Sequence, residues 1–165
     1  MTKLNIIFEI INKENIILED FNMRQATIDG IYFKLPMIPP TIAIRKSLIN
    51  DRKKYISVLS EELGHHFTTT GDLIAKSKTY RDKLYKSKKE LLARSWGANF
   101  LISDEEFVQA LNDCIISISE MAEHFDVTED IINLKIYSII RDEQKYNTIR
   151  TNFMKREIQY NACQI

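Results

Sequence analysis

The chain is short of three residue types that shape small proteins: it has two cysteines, three prolines and four glycines in 165 residues. Cys114 and Cys163 are too few and too scattered for a disulfide framework or a cysteine zinc site, and both are expected to be idle thiols in a reducing compartment. Charge of either sign is not in excess, with 23 Lys plus Arg against 23 Asp plus Glu. No global field therefore draws the chain to nucleic acid or to a membrane surface. Long hydrophobic runs are missing too. The opening "MTKLNIIFEIINKENIILEDF" is interrupted at Asn5, Glu9 and Asn12 and is followed by no small-residue cleavage site. Neither a targeting segment nor a membrane span is expected, and the protein reads as cytoplasmic.

What is there suffices for a core: 44% of residues are hydrophobic and 10% aromatic. A chain of this length predicts a single domain over 1–165, burying about two thirds of the surface it would expose unfolded. Every glycine and proline except Gly97 lies before residue 72, so turns and strands belong to the first half and helices to the second. Leu4, Ile7, Phe8, Ile10 and Ile11 form a helical apolar stripe, and "NIIL" (15–18) is a short β-type run. "GIYFKLP" (30–36) and "TIAIRK" (41–46) read as neighbouring strands joined through "MIPP". A long helix is predicted from Asp51, its N-cap, to the Thr-rich stop before Gly71, with further helices near 84–101, 104–112, 117–124 and 128–145. The fold class is α+β: a helix and a small N-terminal sheet over 1–50, two site helices within 51–102, and a helical region over 103–165.

The helix after Asp51 carries "SVLSEELGHHFTTTG" (57–71). Ile56, Leu59 and Leu63 make its core stripe, and Glu61 and His65 project together from the other side. A carboxylate and an imidazole one turn apart can grip one metal ion, and Glu62 is then placed to reach a metal-bound water as general base. The competing reading, weighted evenly, is a solvated acidic helix with two incidental histidines. A metal needs a third ligand, and Glu90 is the candidate, at the start of the apolar "ELLARSWGANFLI". Its plain alternative is an exposed glutamate favoured by the helix dipole. His66 lies between the polar face and the core stripe, as a residue packed behind the site or an alternative ligand.

"SVLSEELGHH" followed by "KKELLARSWGANFLI", with the strands "GIYF" and "TIAI" before and "ISEMAEHFDVTEDII" after, resembles the ImmA/IrrE family of metallopeptidases over most of residues 15–140. The resemblance implies a small N-terminal sheet, a helical zincin-like core and a helical C-terminal half. By carry-over Glu62 is the general base and His65 and Glu90 are metal ligands, while Glu61 stands where the family has the first histidine of HExxH. Glutamate binds zinc through oxygen, but two carboxylates and one imidazole cancel the ion's charge. Weaker hydrolysis at neutral pH is expected, with Mn²⁺ or Fe²⁺ admitted beside Zn²⁺. The resemblance implies a helix-turn-helix repressor of a phage or mobile element as substrate. The second reading is a non-catalytic anti-repressor or antitoxin-like protein that keeps the fold.

Two other segments have functional overtones. "ISISEMAEHFDVTEDIINLKIYSI" (116–139) has the look of a helix-turn-helix, with Ala122, Val127 and Ile131 at core positions. Through Arg141 it has five acids, with Lys135 and Arg141 as its bases, so a helical pair closing the core is favoured over DNA contact and no direct nucleic-acid partner is expected. His124 within it is expected at the surface. The stretch from Lys76 to Arg94 holds eight basic residues against Asp82 and Glu90, and reads as a solvated face more readily than as a dock for an acidic partner. Tyr80 and Tyr85 within it are candidate donors to an oxyanion.

Overall fold

The computed structural model describes residues 2–22, 28–69 and 79–154. Thr2 caps the first helix, α1 (Lys3–Lys13), by accepting from the Asn5 N–H, and α1 buries Ile7 and Ile11, one turn apart. The strand expected at 15–18 begins two residues late, as β1 (Ile17–Phe21), because Asn15 takes a left-handed conformation (φ 52°) to turn the chain out of α1. β2 (Gly30–Phe33) and β3 (Thr41–Arg45) fall where expected and pair antiparallel, Tyr32 opposite Ile42. β1 runs parallel to β3 on its other side, so the sheet order is β1-β3-β2. β3, in the middle, buries Thr41, Ile42 and Ile44, and β2 is left as an edge.

A 3-10 turn at Lys46–Asn50 leads into α2 (Arg52–Thr68), whose N-cap Asp51 accepts from the Lys54 N–H. The core stripe Ile56, Leu59 and Leu63 is buried, but so are Ser57, Ser60, Glu62, Gly64 and His65. The helix is thus enclosed on both sides, and the picture of a solvated acidic face does not hold. The cover is α3 (Tyr80–Leu101), which begins at a Thr79–Asp82 capping box, four residues earlier than expected. Glu90 is therefore well inside the helix and not at its mouth, which removes the helix-dipole explanation, but its side chain is 56% exposed, as the plain alternative had it.

The two helices meet backbone to backbone. A Cβ on Gly64 would run into the Ala93 carbonyl, and one on Gly97 would lie 2.8 Å from the Ser60 carbonyl oxygen. These contacts set α3 antiparallel to α2. α4 (Asp104–Asn112) and α5 (Ile118–Phe125) open on capping boxes at Ser103 and Ser117. The single helix expected over 128–145 is two, α6 (Glu129–Ile140) and α7 (Glu143–Met154), because Asp142 accepts from the Lys145 N–H and starts a new helix. α5 and α6 close the core through Ala122, Val127 and Ile131, and His124 is exposed.

The chain is α+β, with the small sheet at the N-terminus and helices thereafter. Lys135, counted among the few bases of the α5–α6 pair, is fully buried and donates to Asn99 (2.9 Å) and Asp104 (2.5 Å). Cys114 is disulfide-bonded and so is not the idle thiol expected, and Cys163 lies outside the described residues. Among the described residues no helix is long and apolar enough to cross a membrane.

Candidate functional site

β2, α2, α3 and the start of α6 enclose a cleft of about 310 Å³, lined on one side by Gly30 and Val58 and on the others by Glu61, Glu62, Glu90, Arg94 and Asp130. Glycine at position 30 is what lets the strand close on the helix, since a Cβ there would lie 2.5 Å from Val58 Cγ1 and 2.7 Å from Glu62 Oε1. Ser57 ties the far wall to α2 by accepting from the Thr128 N–H at 3.2 Å.

Glu62 is 8% exposed. Burial pushes its carboxyl up to about 7, against a smaller downward pull from His65, with Glu61 and Glu90 adding repulsion and the Tyr32 N–H donating to it. A carboxyl in a cleft that changes protonation near neutrality has the property a general base needs.

Around it the charged residues of α2 and α3 form two cross-helix pairs. His65 Nε2 lies 3.2 Å from Glu90 Oε2, and Arg94 Nε donates to Glu61 Oε1 at 3.1 Å. The pairing is antiparallel, like the helices: one turn separates Glu61 from His65, and one turn separates Glu90 from Arg94. The hydrogen bond from His65 holds Glu90 below the usual carboxylate range. For His65 burial pulls downward, but the Glu90 hydrogen bond and the carboxylates Glu62, Glu90 and Glu61 outweigh it and the imidazole is raised. Glu61 is raised by burial, which Arg94 only partly offsets.

Of the three candidate ligands, His65 and Glu90 face each other and Glu61 faces Arg94 instead. Two donors on a tetrahedral zinc ion stand about 3.3 Å apart, given bonds of about 2.0–2.1 Å. The 3.2 Å between His65 Nε2 and Glu90 Oε2 suits a shared ion as well as a hydrogen bond. Glu61 has its carboxylate committed to Arg94. A divalent ion about 4 Å from that guanidinium would meet roughly 8 kcal/mol of repulsion at an effective dielectric of 20. Among the described residues no group of three His, Cys, Asp or Glu side chains is arranged to hold a metal. As it stands the donor set does not fit a divalent ion: Arg94 faces Glu61, His65 faces Glu90, and burial favours the neutral form of Glu62.

His66 turns away from the cleft. Its Nδ1 hydrogen-bonds the Tyr32 hydroxyl at 3.1 Å, its Nε2 faces Glu14 at 3.5 Å, and its ring packs edge-on against Phe67. Tyr80 and Tyr85 are exposed and do not line the cleft. The residues that sequence reasoning passed over are Arg94, Tyr32 and Asp130. Arg94 had a signal, standing four residues after Glu90 as His65 stands four after Glu61. Tyr32 and Asp130 had none, because only the folded chain brings β2 and α6 to this place.

No curated protein and no solved structure matches the chain. The model of the IrrE N-terminal-like domain, Peptidase_M78, matches residues 11–137. That span runs from the end of α1 through most of α6 and includes every side chain of the cleft, so the chain belongs to this family of metallopeptidase-like domains.

Proposed function

We propose that this protein acts on a helix-turn-helix repressor by holding a segment of it in the cleft beside the β2 edge. The family implies a protein substrate and a metal cofactor. The observation that carries capture over cleavage is the Glu61–Arg94 pair, which removes one of the three donors while the cleft itself is kept. The lining also supports the choice of partner. Five carboxylates line the cleft, but Glu61 and Glu90 face Arg94 and His65, Asp29 is paired with Lys54 at 2.7 Å, and burial favours the protonated form of Glu62, so the negative charge offered to a partner is chiefly that of Asp130. Helices that read DNA are rich in Lys and Arg, so a repressor's recognition surface has the complementary charge. A cytoplasmic location belongs to the same proposal, because a DNA-bound repressor is met there, and the Cys114 disulfide is the feature that speaks against it.

The second reading is a zinc-dependent endopeptidase, with Mn²⁺ or Fe²⁺ as substitutes. It is favoured by the spacing of His65 and Glu90 and by the buried Glu62. In it Glu61, once released from Arg94, would join His65 and Glu90 in holding the ion, which would supply an acidified water, and Glu62 would be the base that takes its proton. One experiment separates the two. The purified protein and its Glu62→Gln variant are incubated with the repressor encoded beside its gene, with and without EDTA, and followed by gel and by release of operator DNA. Capture predicts equal release by both proteins, insensitive to EDTA, from an intact repressor. Fragments that disappear with EDTA or with Glu62→Gln establish the peptidase. If neither protein touches the repressor, the partner is wrong.

A further inference from the structure

We propose that Arg94 is the resident cation of this site: its guanidinium takes, beside Glu61, the charge-neutralising place of a divalent ion, and the protein's ground state is metal-free. Arg94 and Glu61 are not a loose surface pair. Their side chains are 34% and 23% exposed, and the bond from Nε to Oε1 is 3.1 Å. The helices that carry them cannot drift apart without giving up the Gly64–Ala93 and Gly97–Ser60 backbone contacts. Arg94 also stands one turn from Glu90 on its own helix, where its charge adds a little to the His65 hydrogen bond that holds Glu90 down. Arginine cannot lose its proton in a protein, so this cation is permanent, unlike an imidazole. A divalent ion enters only by displacing it. The residue that departs from HExxH and the residue that answers its charge thus form one unit, a carboxylate in place of an imidazole and a guanidinium in place of the ion. The inference needs no knowledge of the partner, and it can fail while repressor capture stands.

The test measures zinc binding and thermal stability, not activity. Wild type dialysed against EDTA and then given equimolar zinc should hold far less than one ion per chain and show no change in Tm. Arg94→Met removes the charge and keeps the stem, leaving Glu61 unanswered. It should melt below wild type in EDTA, recover on adding zinc, and bind zinc at least tenfold more tightly than wild type in a competition titration. Glu61→Gln with Arg94→Met removes both partners and should melt near wild type with no zinc response. Should Arg94→Met alone not fold, the double variant and the wild-type zinc content carry the decision. One tightly held zinc per wild-type chain overturns the proposal. So does a folded Arg94→Met protein whose zinc affinity equals that of wild type, or a double variant that responds to zinc.

Discussion

Glu62 ionises in the ordinary carboxylate range when the chain is unfolded, whereas in the cleft burial moves it to about 7. Between those values the folded chain holds a proton that the unfolded chain has released, so stability falls as pH rises through the window. His65 works in the same direction. Although burial pulls it down, its net shift is upward, so its contribution is full below its unfolded value and is lost as pH climbs through the folded one. Wild type in EDTA should therefore need less urea to unfold at pH 8 than at pH 5, Glu62 accounting for on the order of 3 kcal/mol. Glu62→Gln should flatten that profile and be the more stable protein at pH 8, and a flat wild-type profile would mean that water reaches the carboxyl. Helical spacing alone put Glu61, Glu62 and His65 within reach of one another, whereas Glu90, on another helix, was reached as a carboxylate beside an apolar segment and through the family resemblance. Arg94 was read instead as the last member of a basic run, and a charge count along the chain does not reveal that it faces the neighbouring helix.

α2 shows what spacing can and cannot say about an element. Its start at Asp51 and its core stripe were readable, as were β2, β3 and α4, because caps, prolines and apolar periods are local signals. Its second buried side was not, since the residues there are Ser57, Ser60 and Gly64 and not large apolar ones. Small residues at spacings of three and four mark close approach of another helix as surely as leucines mark a core. Gly64→Ala checks this: alanine gains about 1 kcal/mol in helix propensity, but overpacking costs about 1–3 kcal/mol, and here the obstacle is the Ala93 backbone. A lower Tm is expected. An unchanged or higher Tm would show that α3 gives way. The break between α6 and α7 escaped the sequence because Arg141 and Asp142 continue a helical pattern until Asp142 is seen capping Lys145.

At the scale of the molecule, Lys135 holds α3, α4 and α6 together from a fully buried position, and Lys145 of α7 joins the same Asp104 at 3.0 Å. Removing one partner of such a group differs from replacing the buried charge. Asp104→Ala leaves Lys135 without its counter-ion and should cost about 3 kcal/mol in urea denaturation. Lys135→Met fills the space with an apolar chain, leaves Asp104 to Lys145, and should stay within about 1 kcal/mol of wild type. Equal losses in the two variants would mean that the cluster works by packing alone. The two charge pairs of the cleft have a consequence of their own for assembly. α2 belongs to the half of the chain that carries the sheet, and α3 leads into the half made of helices. Were α3 to settle one turn out of step, Glu61 would face Glu90, or, in the other direction, His65 would face Arg94. Like charges would meet in either case, so the same four side chains act as a key that admits only one alignment of the two halves.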